Sequence, residues 1–435
     1  MSSSLNEFRE VSYQSPVESD ELSRSGSQPA TCRVMYDALV LDAHLRQSLA
    51  TVRSLGSRGL QVAALGTSGE LPTFSSRWCQ QRFVCPAGEG TEEYLPYLEQ
   101  VLDRTGARVL ITSSDATIAL IRRHRERLEQ RVHIVLAKEP ALALAINKKQ
   151  TLEIASRLGL RVPRAVSVAA VSEVAAALGE IELPAVVKPV ESWVGDERHG
   201  TRLASRLVTT PDEARRAVEE LTCFGSTTLF QQFISGRRES LTFLYANGTI
   251  HARFAQWGKR TQPPLGGQSV LGQSIAFPPD IGDQGERLVR EIELEGCSHL
   301  EFRRDSTGNP YLMEINPRLA ASTELAVRSG VDFPYLLYQW ANGDKIDMVK
   351  RYRVGVWLRY LRGDITTTIA AVKQRGRPGV NPPARALLDF GLSFFVPMKY
   401  VYVDWKDPLP AWTATAGYIR SLGKHIIGKS SGDYV

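Results

Sequence analysis

No apolar run in this sequence reaches membrane-spanning length, and its N-terminus lacks a charged-then-apolar leader, so a soluble, cytoplasmic protein with no membrane span is expected. Cysteine is sparse. Cys32, Cys79, Cys85, Cys223 and Cys297 are five scattered residues with no pair at metal-ligand spacing, which argues against a zinc site or a disulfide framework and for reduced thiols. No G-x-G-x-x-G follows the first strand-like run, which argues against a dinucleotide cofactor. Blocks of one charge sign are scarce as well. The net charge is +6 and the pI about 9.0, yet 53 basic residues are dispersed among 47 acidic ones. The densest basic run, 122–127, is interrupted by Glu126 and followed by Glu129, and suits the wet face of a helix. Nucleic acid is therefore not an expected partner; a nucleotide or another small anion accounts for the mild positive bias.

At 435 residues the chain has room for two to three units with real cores. Residues 1–33, rich in Ser, Glu and Gln, read as a disordered tail. Short apolar runs at 38–41, 61–66, 108–112 and 132–136, with a helical stretch over 45–55, predict an open parallel α/β unit over 34–140. Residues after its strands are candidates to touch an acceptor substrate.

The most informative stretch is 300–317, L-E-F-R-R-D-S-T-G-N-P-Y-L-M-E-I-N-P. Two alternating runs flank a loop of turn formers, which predicts a β-hairpin. Alternation puts Glu314 and Asn316 on one face, and the hairpin can bring Glu301 opposite them. Two carboxylates and an amide oxygen, with no neutralising cation expected on that face, suit Mg²⁺. An exposed hairpin with a charged wet face is the plainer alternative. Arg318 follows, able to meet a phosphate or a developing oxyanion.

Other stretches carry further signals. Lys148 opens an amphipathic helix after Asn147. Lys188 ends the apolar run of L-P-A-V-V-K-P, where burial penalises a lysine unless an anion waits. Thr210-Pro211-Asp212-Glu213 is a helix start. A strand and turn cover 228–236, and Asn247-Gly248 marks a hairpin turn. A basic segment, 257–269, runs into Gly266-Gly267 as a loop able to approach an anion.

The acidic residue followed 13 positions later by Glu-x-Asn and then Pro-Arg resembles the metal-binding signature of the ATP-grasp superfamily. The text after it, N-P-R-L-A-A-S-T-E-L-A-V-R-S-G, is similar to the branch containing carboxylate–amine ligases and relatives of the carbamoyl phosphate synthase large subunit. The resemblance spans about 34–345. It implies a Rossmann-like N-terminal domain, a two-subdomain ATP-grasp fold over 141–345, and a C-terminal extension over 346–435. It also implies ATP with Mg²⁺, or Mn²⁺ in its place. Glu301, Glu314 and Asn316 would hold the metal. Lys148 and Lys188 would meet the phosphates, and Arg198 and His199 in the 191–201 closing loop are further phosphate contacts. A subdomain hinge near 231–239 would hold adenosine through Gln231, Gln232, Phe233 and Ile234, with Glu239 on the ribose. Arg318 and Lys188 are the expected catalytic residues. The implied reaction joins a small carboxylate to an amine; bicarbonate activation or a non-catalytic nucleotide-binding regulator are the alternatives. In 346–435 a strand pair at 352–361, a helix at 364–374, a β-like stretch at 394–405 and a final helix from 407 are expected. Its aromatics are expected in a core, and it would pack on the ATP-grasp core or form a homo-oligomer contact.

Overall fold

The computed structural model describes residues 35–195, 200–222 and 225–426. The expected tail, Cys32, Cys223, Arg198 and His199 lie outside the described residues. Strands of two to five residues separated by helix-length segments can pair in parallel only through crossovers, and the first sheet is built that way. It contains β1 (Ala38–Val40), β2 (Val62–Gly66), β3 (Gln81–Val84), β4 (Val109–Ile111) and β5 (His133–Ile134), all parallel in the order β3-β2-β1-β4-β5. Both faces of the central strands are covered, so they read as continuous apolar runs. Leu39 packs with the helices Tyr94–Thr105 and Asp115–Arg123, and Val40 with the helix Arg46–Gly56. The basic run is neutralised locally: Arg122, Arg123, Arg125 and Arg127 pair with Glu139, Glu92, Glu129 and Glu99.

The second sheet is small and antiparallel. Its strands are β6 (Ala165–Val168), β7 (Ala185–Pro189), β10 (Arg206–Val208) and β11 (Thr228–Gln232), in the order β10-β7-β11-β6; β8 (Trp193–Gly195) and β9 (Gly200–Arg202) form a separate ribbon. Val187 and Phe230 face the helices Val174–Glu180 and Pro211–Thr222. The latter starts as expected. The Glu213 backbone N–H donates to Thr210 Oγ1 at 3.2 Å, and Glu213 Oε2 accepts from the Thr209 N–H at 2.8 Å.

The third sheet runs β16-β15-β12-β13-β14-β17-β18. It comprises β12 (Arg238–Ala246), β13 (Thr249–Gln262), β14 (Gln268–Ser274), β15 (Gly296–Arg304), β16 (Pro310–Asn316), β17 (Trp357–Arg359) and β18 (Lys399–Tyr400). Asn247 and Gly248 both have positive φ, 49° and 73°, as a tight I′ hairpin turn requires. The segment 257–262, expected as loop, instead continues β13. The helix Pro279–Glu291 packs Ile281 and Leu288 with Leu241, Phe243 and Leu300 on one face.

The C-terminal residues depart most from expectation. The strand pair at 352–361 shrinks to three residues, 394–405 contributes two, and the helix Pro383–Leu392 was not foreseen. Helices Leu361–Lys373 and Leu409–Ile426 are present. The aromatics expected as core divide: Tyr352, Tyr360 and Tyr402 pack against it, while Phe394, Phe395, Trp405 and Trp412 are exposed. The segment is tied down by buried charges instead. Asp364 lies between Arg260 and Arg359, and Asp407 accepts from Arg53 and Ser76.

Candidate active site

The hairpin forms with the register that alternation predicts. His299 lies opposite Asn316 and Glu301 opposite Glu314, with an irregularity just past Glu301. Asp305 Oδ1 organises the turn by accepting from the N–H groups of Thr307 and Asn309, each at 2.9 Å. Glu301, Glu314 and Asn316 therefore share one face of the third sheet. The expectation of a face free of cations is overturned. Strand β12 sets Ser240 opposite Glu301 and Arg238 opposite Arg303, so both arginines join that face, and Arg238 ion-pairs with Glu301. Like charges facing each other in a buried setting require such a cation. Burial raises the Glu301 carboxyl, Arg238 opposes it, and Glu314 adds to the rise. Glu314 lies below the usual range: burial pushes it up, but Lys148, Lys188 and Arg238 together outweigh that. His299 is pushed down to about 3 by burial and by Arg238 and Arg318, so it is neutral at pH 7.

Lys188 comes from the facing small sheet. The β7–β11 register sets Leu229 opposite Lys188 and Gln231 opposite Val186, so Lys188 and Gln231 share the face away from Phe230. Lys188 Nζ donates to the Met313 carbonyl at 3.3 Å, which ties this sheet to the hairpin. Burial lowers its ammonium to about 8. Lys148 is the first residue of the helix Lys148–Arg157, capped by the Asn147 side chain, which accepts from the Gln150 N–H at 3.1 Å. Its Nζ donates to Ser192 Oγ at 2.9 Å. Gln231 is fully buried, and neither its amide nitrogen nor its amide oxygen has a partner. An orphaned amide here fits a bound group with both a donor and an acceptor edge.

The hinge residues divide. Ile234 is buried and Phe233 half-buried, while the Gln232 N–H already donates to the Arg164 carbonyl at 2.9 Å. A Cβ at Gly236 would sit 1.8 Å from the Arg304 carbonyl oxygen, so only glycine lets the hinge cross the hairpin this closely. Glu239 does not join the others. It lies opposite Phe302, on the reverse face from Glu301, with its carboxylate between Arg237 (2.9 Å) and Arg304 (2.8 Å). The expected ribose contact is thus corrected: strand parity in β12 turns Arg238, not Glu239, toward the site.

Arg318 is also engaged. Its Nε donates to Asp115 Oδ1 at 2.6 Å, and its Nη2 to Asp115 Oδ2 at 3.2 Å and to Asn316 Oδ1 at 3.4 Å. Asp115 is the first residue of the helix after β4, so the parallel sheet meets the hairpin here. An open pocket of about 500 Å³, solvent included, lies at this junction, lined among others by Asp115, Lys148, Ser192, Trp193, Glu314 and Asn316. Sequence reasoning missed Arg238, Arg303 and Asp115 as site residues. Arg238 could have been found by pairing β12 with β15, since every second residue then follows Glu301's face.

Among the described residues no set of three His, Cys, Asp or Glu converges as a metal cluster. A metal here would need the Asn316 amide with the two carboxylates. That all-oxygen donor set suits a hard divalent cation. Such an ion would share Glu301 with Arg238 and Asn316 with Arg318.

A family model described as "ATP-grasp in the biosynthetic pathway with Ter operon" matches residues 259–362, the span holding this hairpin. The carbamoyl phosphate synthase large chain of Thermus thermophilus is 22% identical over 400 residues, covering 86% of this chain and 35% of that one. A D-alanine–D-alanine ligase of Pseudomonas entomophila is 26% identical over 215 residues, covering 45% of this chain and 64% of that one. This chain thus spans about a third to two thirds of the curated relatives it matches. The crystal structure of a biotin carboxylase–β,γ-ATP complex from Campylobacter jejuni has a TM-score of 0.58 at 16% identity, covering 74% of each chain. Residues 259–362 thus carry an ATP-grasp family match, and the chain shares its fold with a solved ATP-grasp structure.

Proposed function

We propose that this protein is an ATP-dependent ligase that joins a carboxylate to an amine through an acylphosphate, releasing ADP and phosphate. The observation that carries this reading is that Lys148 and Glu314 line one pocket while Lys188 donates to the carbonyl of Met313 beside it, so a helix start, the small sheet and the hairpin meet there. In this reading Gln231 and the hinge 232–234 hold the adenine, and Lys148 and Lys188 meet the phosphates. Glu301, Glu314 and Asn316 hold Mg²⁺, with Mn²⁺ as a substitute; the bound ion neutralises phosphate charge. An oxygen of the substrate carboxylate attacks the γ-phosphorus in line and ADP leaves; positioning and charge do most of the work. The amine then attacks the acyl carbon, and phosphate leaves. Arg318, whose charge Asp115 holds in place, steadies the tetrahedral oxyanion. The β8–β9 ribbon, beside Lys148, shields the acylphosphate from water.

The likeness to a carbamoyl phosphate synthase over 86% of the chain favours a second reading, in which bicarbonate is the acid activated. Hydroxylamine separates the two. An organic acylphosphate is trapped as a hydroxamate whose mass reports the acid. Hydroxamate formed with ATP and an organic acid supports the ligase. ADP release with bicarbonate and no organic hydroxamate would shift the assignment to the second reading.

A further inference from the structure

The C-terminal residues carry the strongest feature the active site does not use. Residues 346–435 hold fourteen Lys and Arg against six Asp and no Glu, a net +8; the rest of the chain, with 39 basic and 41 acidic residues, is −2. Of the six acids, Asp364 and Asp407 are buried in ion pairs and Asp404 pairs with Arg328, while Asp347 is exposed; among the cations Arg359 is buried, and Arg377 and Arg420 pair with Glu213 and Glu70 outside the segment, which leaves Lys350, Arg351, Arg385, Lys399 and Lys406 among its exposed charges. The same segment exposes its largest apolar side chains. Trp405 is 93% exposed, Phe395 85%, Trp412 73%, Ile419 63%, Leu388 62% and Leu387 56%. On the helix Leu409–Ile426, Leu409, Trp412 and Ile419 recur at spacings of three and seven, one stripe of that helix. Leu387 and Leu388 stand on the helix Pro383–Leu392, which continues into exposed Phe394 and Phe395. Arg385, Lys399 and Lys406 lie exposed among these residues in the chain. The helix Leu361–Lys373 links the two patches: it packs on Pro383–Leu392 and sets Arg362 over the Tyr418 ring at 5.3 Å.

We infer that this basic, aromatic surface docks on an anionic phospholipid bilayer, lying in its interface. Exposed tryptophan and phenylalanine near exposed lysine and arginine in the chain, with basic residues in excess over acids, is the chemistry of an interfacial anchor. Among the described residues no helix is long and apolar enough to cross a membrane, so the surface lies on the bilayer and does not span it. A second copy of this chain fits less well, because a two-fold interface would set one +8 segment against another.

The test uses the full chain with vesicles of phosphatidylcholine alone and of phosphatidylcholine with phosphatidylglycerol, read by co-sedimentation and by quenching of tryptophan with brominated lipid. The expected result is binding to the phosphatidylglycerol vesicles only, weakened by salt. W405A/W412A should abolish the quenching and most of the binding. K399E/K406E should lower partitioning at least about fivefold. These side chains are exposed, so both variants should keep wild-type nucleotide affinity, which separates this outcome from misfolding and from failure of the ligase reading. Absence of binding to either vesicle overturns the inference, whether the chain is then monomeric or pairs with itself through this face. Equal, salt-insensitive binding to neutral vesicles overturns it too.

Discussion

Lys188 is the residue on which the account turns, because a lysine that burial holds near 8 is a charge suited to a counter-ion. Its sign fixes a pH dependence. Below about 8 the ammonium is already charged and meets phosphate without taking up a proton. Above it, binding must first restore the proton, so ATP affinity should fall, by up to about tenfold per pH unit. Calorimetry in buffers of different ionisation enthalpy should show proton uptake on ATP binding at pH 9 and little at pH 7; equal uptake at both would contradict this role. Some residue placements were legible in the sequence and others were not. The buried position of Lys188 was, since a lysine closing an apolar strand has a physical reason to be there; its role in binding phosphate is part of the proposal. Glu239 was misread because one step along β12 reverses the face, and the register that decides it is set by a partner strand some sixty residues away.

At the scale of elements, the hairpin β15–β16 was readable because turn formers and alternation are local signals. The ties that hold the C-terminal helices were not, because they join distant residues. Arg359 is fully buried, its guanidinium stacked over the rings of Phe390 (4.6 Å) and Phe394 (4.1 Å), and Nε donates to Asp364 Oδ2 at 2.6 Å. Arg260, from β13, holds the other carboxylate oxygen. Removing the shared carboxylate leaves buried guanidinium charge uncompensated. D364A should therefore cost about 3–5 kcal/mol in urea unfolding. A loss below about 1 kcal/mol would show that solvent already reaches these groups.

For the whole molecule, the C-terminal residues are woven into the fold. Strands β17 and β18 complete the third sheet, Asp407 binds Arg53 and the Arg77 N–H beside the first sheet, and Arg377 pairs with Glu213 against the second. A chain ending at 345 should therefore not give a stable core; its thermal transition should be lost or lowered by more than about 10 °C. An unchanged transition would show the extension to be separable. Such weaving is invisible in a sequence whose last ninety residues read only as short, mixed signals. The ligase claim also belongs to this scale, since Lys148, Lys188 and the Glu314–Arg318 segment come from separate elements. Its most direct measurement is ADP release with ATP and Mg²⁺ across a panel of amino acids, small peptides and bicarbonate, with E314Q as control. The account predicts release stimulated by one acid–amine pair and reduced by more than about a hundredfold in E314Q. Release equal in wild type and E314Q, or ATP binding with no stimulated release by any pair, would contradict it.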